Sequence, residues 1–336
     1  MNVTNSIMTI DSHAAGEPLR TITSGMPYLK GATMYEKMVD METNYDDFRK
    51  LVMLEPRGHA DMLGAVLTPP VNNDSDVGVF YIDTRGYAPM CGAGTLALCK
   101  TLIDTGMIKA NKDERFKRIK MDTPSGTVTA TAICDNGNAT HVKFENIDSF
   151  LYEENLQMSL SNYGTFSFDI AYGGNFFILV DIENFGIEFD VRNARMLSEL
   201  GMLILTEANQ KYNISHPEIM DITFLNDIMF YKNPDEKNSN YRNLVIFGAG
   251  QVDRSPCGTG TCARMAQLYK KGKLNLNEDF VHESIIGTKF IGRILTESTV
   301  GNYKSIIPEI EGECSITGFN HFVLDGNDSI KSGFIV

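Results

Sequence analysis

Two short stretches of the chain carry the same residue types in the same order. Met90-Cys91-Gly92-Ala93-Gly94-Thr95-Leu96-Ala97 and Pro256-Cys257-Gly258-Thr259-Gly260-Thr261-Cys262-Ala263 both read Cys-Gly-x-Gly-Thr-x-Ala. Each runs into an apolar stretch of helical period that stops at a glycine, Gly106 in the first copy and Gly272 in the second. The two cysteines lie 166 residues apart in a chain of 336, close to half its length. The spacing reads as a duplicated protein with two half-sites, each placing one cysteine at a helix N-terminus. A helix start leaves backbone N–H groups without partners and carries positive potential. A thiol there is expected to lose its proton more readily than a free cysteine, whose pKa is about 8.5. The flanking glycines admit a ligand close to the backbone, and the exposed N–H groups can hold an anion such as a carboxylate.

The elements that would position these cysteines follow the repeat. In the first half, strands are expected around residues 7–13, 21–23, 64–68, 77–82, 119–123, 128–133 and 141–144. Helices are expected over 35–54 and 94–105. In the second half, strands are expected over 164–171, 176–180, 222–225, 228–231, 244–248, 280–283, 289–295 and 304–310, with helices over 192–213 and 261–271. Ser125-Gly126-Thr127 in the first half matches Ile286-Gly287-Thr288 in the second, so the repeat extends past the helices. Residues 314–324 read as a further strand that returns to the first half. The division is therefore 1–148 plus about 315–336, carrying Cys91, and 149–314, carrying Cys257.

Composition bounds the rest. The chain is 43% hydrophobic and 22% charged with a formal net charge of −13, which argues against nucleic acid or an anionic membrane as partner. Residues 1–10 show no basic region followed by a long apolar core, so no secretory signal is read, and the default location is the cytoplasm. The six cysteines lack the CxxC spacing of zinc sites, so no metal is expected, and they are too sparse for a disulfide scaffold. Cys99, Cys134, Cys262 and Cys314 read as small core residues.

Beyond the two cysteine motifs, further stretches carry a family likeness. They are Asp11-Ser12-His13 with Gly16-Glu17-Pro18; Glu55-Pro56-Arg57-Gly58-His59; Gly173-Gly174-Asn175-Phe176-Phe177; Val252-Asp253-Arg254-Ser255 leading into Pro256-Cys257-Gly258-Thr259-Gly260-Thr261; and Thr317-Gly318-Phe319-Asn320. With Met90-Cys91-Gly92 these span almost the whole chain, and the chain resembles the proline racemase family, which includes hydroxyproline 2-epimerases and trans-3-hydroxyproline dehydratases. The resemblance implies an α+β, diaminopimelate-epimerase-like fold: two pseudo-symmetric domains, each a curved, mostly antiparallel sheet around a central helix, with the site in the cleft between them. It also implies a homodimer, a small imino- or amino-acid substrate, and no pyridoxal phosphate.

The activity so implied is inversion of the Cα of proline or a hydroxyproline by two-base proton transfer, with Cys91 and Cys257 as the acid/base pair. A thiol's pKa lies near working pH, which suits that task. By resemblance, the backbone N–H groups of Gly92, Ala93, Gly258 and Thr259 hold the substrate carboxylate, which must take up the charge left on Cα. Asp253 matches the residue that contacts the substrate ammonium, Phe247 matches an aromatic that packs on the pyrrolidine ring, and His59 lies in a family motif near the site. Taken alone, Asp253-Arg254 also reads as a surface ion pair, Phe247 as plain core and His59 as structural.

The chain departs from the family pattern at Ala93, where histidine usually follows Cys-Gly; Ala14 replaces a more usual threonine and Cys262 a small residue. Loss of that histidine enlarges the pocket and removes a polar partner. Competing readings are a trans-3-hydroxy-L-proline dehydratase, whose branch carries serine or threonine in place of Cys91; a non-catalytic imino-acid-binding relative, which Ala93 favours; and a dithiol redox protein.

Overall fold

The computed structural model describes residues 3–220, 222–234 and 237–335. The chain divides into two compact units, Met1–Phe144 with Glu313–Val336, and Glu145–Gly312. In chain order, unit 1 contains β1 (Val3–Ala14), β2 (Glu17–Ser24), α1 (Met34–Met53), β3 (Leu63–Thr68), β4 (Val77–Asp83), β5 (Tyr87–Ala88), α2 (Gly92–Asp104), β6 (Phe116–Thr123), β7 (Gly126–Asp135) and β8 (Asn138–Glu145). Unit 2 contains β9 (Ser149–Leu160), β10 (Gly164–Tyr172), β11 (Phe176–Asp181), α3 (Ala194–Lys211), β12 (Leu225–Lys232), β13 (Tyr241–Phe247), β14 (Gln251–Val252), α4 (Gly258–Lys270), β15 (Phe280–Ser284), β16 (Lys289–Val300) and β17 (Tyr303–Gly312). The last strand, β18 (Cys314–Asp325), belongs to unit 1.

The two units share one wiring. Unit 1 runs β18–β1–β2–β3–β4–β6–β7–β8, antiparallel except for the parallel pairs β2–β3 and β4–β6. Unit 2 runs β9–β10–β11–β12–β13–β15–β16–β17, with parallel pairs at the matching places, β11–β12 and β13–β15. β17 then pairs back onto β9 through Ser305 opposite Phe150 and Ile306 opposite Ser149, so unit 2 closes on itself. The expected α+β architecture of two like halves around one central helix each is borne out.

The central strands β4, β11, β12 and β13 bury both faces and read as continuous apolar runs, whereas outer strands such as β7, β8 and β18 alternate. In unit 2, Ile170, Ile178, Ile228, Phe230, Leu244 and Ile246 pack on one side with Leu197, Leu200 and Ile204 of α3. Their sequence neighbours Ala171, Phe177, Leu179, Met229 and Val245 point the other way and pack with Cys257 and Ala263. In unit 1, α1 sets Met34, Met38, Met41, Phe48 and Leu51 against Ile7, Ile22, Val66, Phe80 and Ile82, and α2 packs against β1, β18, β7, β2 and β3.

Several expected boundaries move. Both motif helices start at the glycine directly after the cysteine, earlier than residues 94 and 261, because the sulfur itself serves as the N-cap. The expected strands over 222–225 and 228–231 form the single strand Leu225–Lys232, which leaves residues 222–224 outside. The helix expected over 192–213 is Ala194–Lys211, preceded by a 3-10 turn at Val191–Asn193. β9 has no counterpart among the expected strands. Its centre, Glu153-Glu154-Asn155, is poor in strand formers, and Asn155 sits at φ 60 beside a break in register with β10.

Leu96 is fully buried in α2. Leu96→Ala should therefore destabilise the protein by about 2–5 kcal/mol, measured by urea denaturation; a loss under about 1 kcal/mol would place α2 outside the core.

Candidate active site

In unit 1, Cys91 is the N-cap of α2, with extended backbone (φ −146, ψ 123), and its Sγ accepts the Gly94 N–H at 3.4 Å. The Cys91 carbonyl accepts the Thr95 N–H at 2.9 Å and the Thr95 hydroxyl at 2.8 Å. With its proton so committed, Thr95 Oγ1 accepts from the buried Tyr81 hydroxyl at 2.9 Å. Gly92 and Ala93 form the first turn and are buried, while Cys91 is half-buried. A Cβ on Gly94 would come within 2.5 Å of the Tyr81 ring, so a glycine is needed for the tyrosine to reach the threonine.

Unit 2 repeats this start with one change. Cys257 caps α4, and its Sγ accepts the Gly260 N–H at 3.3 Å and lies 3.7 Å from Thr259 Oγ1. Its backbone, however, sits at φ 61, ψ 115. A residue with a Cβ avoids positive φ, and holding one there costs about 1–3 kcal/mol unless the surroundings over-determine it. Upstream, Asp253 Oδ1 accepts both the N–H and the hydroxyl of Ser255 at 2.8 Å, and Ser255 Oγ accepts the Cys257 N–H at 3.1 Å. Asp253 is only 7% exposed, which rules out the surface ion pair. Phe247, half-buried at the end of β13, packs against the apolar cluster that contains Cys257 and Met229. Gly173 lies so close to the start of α4 that a Cβ would fall 2.2 Å from the Thr259 carbonyl oxygen.

Unit 1 thus groups Cys91, Gly92 and Ala93, and unit 2 groups Cys257, Gly258, Thr259, Asp253 and Phe247. His59 is exposed on the loop after α1, where its Nδ1 accepts the Asp61 N–H at 3.3 Å. No group of three or more His, Cys, Asp or Glu side chains among the described residues is arranged to hold a metal ion.

The charge state of Cys257 departs from expectation. A helix start was expected to lower its pKa, and the Gly260 N–H and Thr259 hydroxyl do act in that direction. Burial, followed by the negative fields of Asp253 and Asp227, outweighs them and raises the Cys257 pKa well above the ordinary thiol value. Cys257 is 8% exposed, so the glycine-flanked start does not keep it in water. Asp227, absent from the sequence reading, is the residue this reveals. It lies buried on β12, accepts the Asn175 side-chain N–H at 3.1 Å, and is pushed up to about 7 by burial, with Asp253 adding to the rise. The signal was available in the alternation of β12, where Asp227 shares a face with Met229, a member of the apolar cluster that contains Cys257, and Tyr231, which packs against that cluster.

Two predictions follow from this geometry. Alanine at Gly173 meets a fixed backbone oxygen and at Gly94 a hydrogen-bonded ring, whereas at Gly260 its nearest neighbour is the terminal methyl of the Met229 side chain at 2.8 Å. Gly173→Ala and Gly94→Ala should cost more than the ~1–3 kcal/mol of ordinary overpacking, and Gly260→Ala should lie within it, by denaturant midpoint. The reverse ranking would contradict the packing described. Asp227, with a folded pKa of about 7 against 3.8 unperturbed, favours the fold at low pH and loses that contribution as pH rises through 7. Relative to Asp227→Asn, the native chain should lose stability between pH 4.5 and pH 7.5; parallel pH profiles would refute the assignment.

Comparison with known proteins places the chain in a family. The family profile described as proline racemase matches residues 9–335. The chain is 42% identical to the proline racemase of Clostridioides difficile, over 100% of both chains. It is 38% identical to a trans-3-hydroxy-L-proline dehydratase of Bacillus cereus, again over 100% of both. Among solved structures, a hydroxyproline epimerase from Agrobacterium vitis, with bound trans-4-hydroxy-L-proline, superimposes with a TM-score of 0.89 at 29% identity, covering 100% of this chain and 96% of the other. The chain belongs to the proline racemase family.

Proposed function

We propose that this isomerase-family chain inverts the Cα of proline or a hydroxyproline without pyridoxal phosphate, using Cys91 and Cys257 as a two-base pair. The observation that carries the proposal is the matched pair of helix starts, each capped by a sulfur that accepts the third residue's N–H, at 3.4 Å from Gly94 and 3.3 Å from Gly260.

One sulfur, as thiolate, removes the Cα proton. The electron pair of the broken C–H bond moves into the substrate carboxylate, and the other thiol delivers its proton to the opposite face. One thiol and one thiolate remain, with their roles exchanged. The carboxylate, doubly charged at the midpoint, is held by the N–H groups of Gly92, Ala93, Gly258 and Thr259, oriented donors that need no rearrangement as charge grows. Asp253 takes the substrate ammonium, and Phe247 covers the ring. Burial and two carboxylates favour the protonated form of Cys257, so Cys257 starts as the acid and Cys91 as the base. The ammonium, in pairing with Asp253, weakens the field that holds the proton on Cys257 and eases its release. Alanine at position 93 leaves the backbone donor in place but omits a side chain beside the ring, which suits a substituted or bulkier substrate. His59 stays outside the acid/base steps, and the assembly is a homodimer.

The test is incubation in D₂O with L-proline, trans-4-hydroxy-L-proline, trans-3-hydroxy-L-proline and a wider amino-acid panel, following Cα deuterium by NMR and optical rotation. Inversion with Cα exchange is expected. Loss of water from the 3-hydroxy compound would make the chain a dehydratase, and silence across the panel a binding protein. Cys91→Ser and Cys257→Ser should each lower inversion by about 10²–10⁴-fold, the usual worth of a general acid or base. Ala93→His should move the preference toward proline or hydroxyproline; an unaltered profile would remove Ala93 from the specificity argument.

A further inference from the structure

Behind Cys257 lies a closed, buried hydrogen-bond circuit that the proton-transfer scheme does not use. Asn243 on β13, His282 on β15 and Thr261 on α4 are all fully buried. Asn243 Nδ2 lies 3.0 Å from the Pro256 carbonyl oxygen and 2.8 Å from His282 Nε2. Thr261 Oγ1 lies 3.0 Å from the same carbonyl and 2.9 Å from His282 Nδ1.

Hydrogen-bond arithmetic fixes every proton in this circuit. Only the amide nitrogen of Asn243 can donate to a carbonyl, so its second N–H goes to His282 Nε2, which must be unprotonated. The single Thr261 hydroxyl proton goes to Pro256, so Thr261 Oγ1 accepts from His282 Nδ1, which must carry the proton. Both routes give the same neutral tautomer, and burial favours that neutral form.

The circuit ends on one peptide group. The Pro256 carbonyl is held by two donors, and the N–H of the same peptide, that of Cys257, is held by Ser255 Oγ at 3.1 Å. A peptide plane fixed at both its oxygen and its nitrogen cannot swing, and its swing is what would relax the φ of 61 at Cys257. The equivalent start in unit 1 is built differently: there the threonine hydroxyl bonds the carbonyl of the cysteine itself, Tyr81 stands behind it, and Cys91 is extended.

We infer that His282 is a positioning residue: through Asn243 and Thr261 it locks the Pro256–Cys257 peptide and so sets where Cys257 presents its sulfur. The inference gives the proposed acid/base cysteine a fixed aim, and rests on that reading for its importance to turnover.

The test uses the full chain and two readouts. The first is alkylation by iodoacetamide with peptide mapping, reported as the ratio of Cys257 to Cys91 labelling. Thr261→Val, nearly isosteric, and His282→Phe should each release the buried sulfur and raise that ratio at least fivefold. Thr261→Ser, which keeps the hydroxyl, should return it to within twofold of the native value. Should His282→Phe fail to fold, Thr261→Val and Asn243→Leu carry the test. The second readout is kinetic: Thr261→Val should lower kcat at least tenfold with KM changed less than threefold, whereas Thr95→Val, the matching change in unit 1, should lower kcat less than threefold. An unchanged or lowered labelling ratio overturns the inference, as does a rise that Thr261→Ser fails to reverse, or equal kcat losses for the two threonine changes. A raised ratio in a chain that inverts no amino acid would leave the lock standing and remove the proposed reaction instead.

Discussion

In each unit a sulfur atom stands where the first turn of a helix needs an acceptor. Serine, threonine, asparagine and aspartate fill that place well in most helices. Sulfur is a weak acceptor, so a helix that begins on cysteine keeps more of its N–H potential unspent. Nearly everything around α2 and α4 follows from keeping that potential accessible. Glycines follow the sulfur so that no side chain covers the donors, and a threonine bonded backward to a carbonyl holds the turn without obstructing its mouth.

The duplication is close in wiring and unequal in detail. Strand order and the parallel pairs correspond element by element, yet the two threonines lean on different supports. Thr95 uses Tyr81 from β4, and Thr261 uses His282 from β15. One cysteine has relaxed backbone and partial exposure, while the other is buried, carries positive φ and sits among carboxylates. The proposed proton transfer between two like groups would benefit from such inequality, because a resting state in which both are protonated or both charged would be idle.

How far this was legible in the sequence depended on how local the cause was. The two cysteine motifs and the central helices after them could be read because a repeated pattern and a 3.6-residue period are local properties, while the α+β class came with the family resemblance. The charge state of Cys257 could not, since it depends first on burial in the folded unit, then on Asp253 and on Asp227, thirty residues upstream on a strand that only the folded sheet brings near. The same holds for His282. As a lone histidine in an alternating strand it carried no signal, and its meaning comes from sitting between an asparagine and a threonine contributed by two other elements. The strand Ser149–Leu160 escaped because its centre is charged and bulged, so pairing on both sides had to override local preference.

β18 carries one more consequence. The first strand of unit 1 takes one of its two neighbours from residues 314–325, at the opposite end of the chain, whereas unit 2 is built from one uninterrupted stretch. During translation, where segments emerge in order at about 5–20 residues per second, the later-encoded half has all its strands available first. The earlier-encoded half waits with an open seam beside β1 until residues 314–325 have emerged. Removing residues 314–325 would therefore injure the unit that was synthesised first.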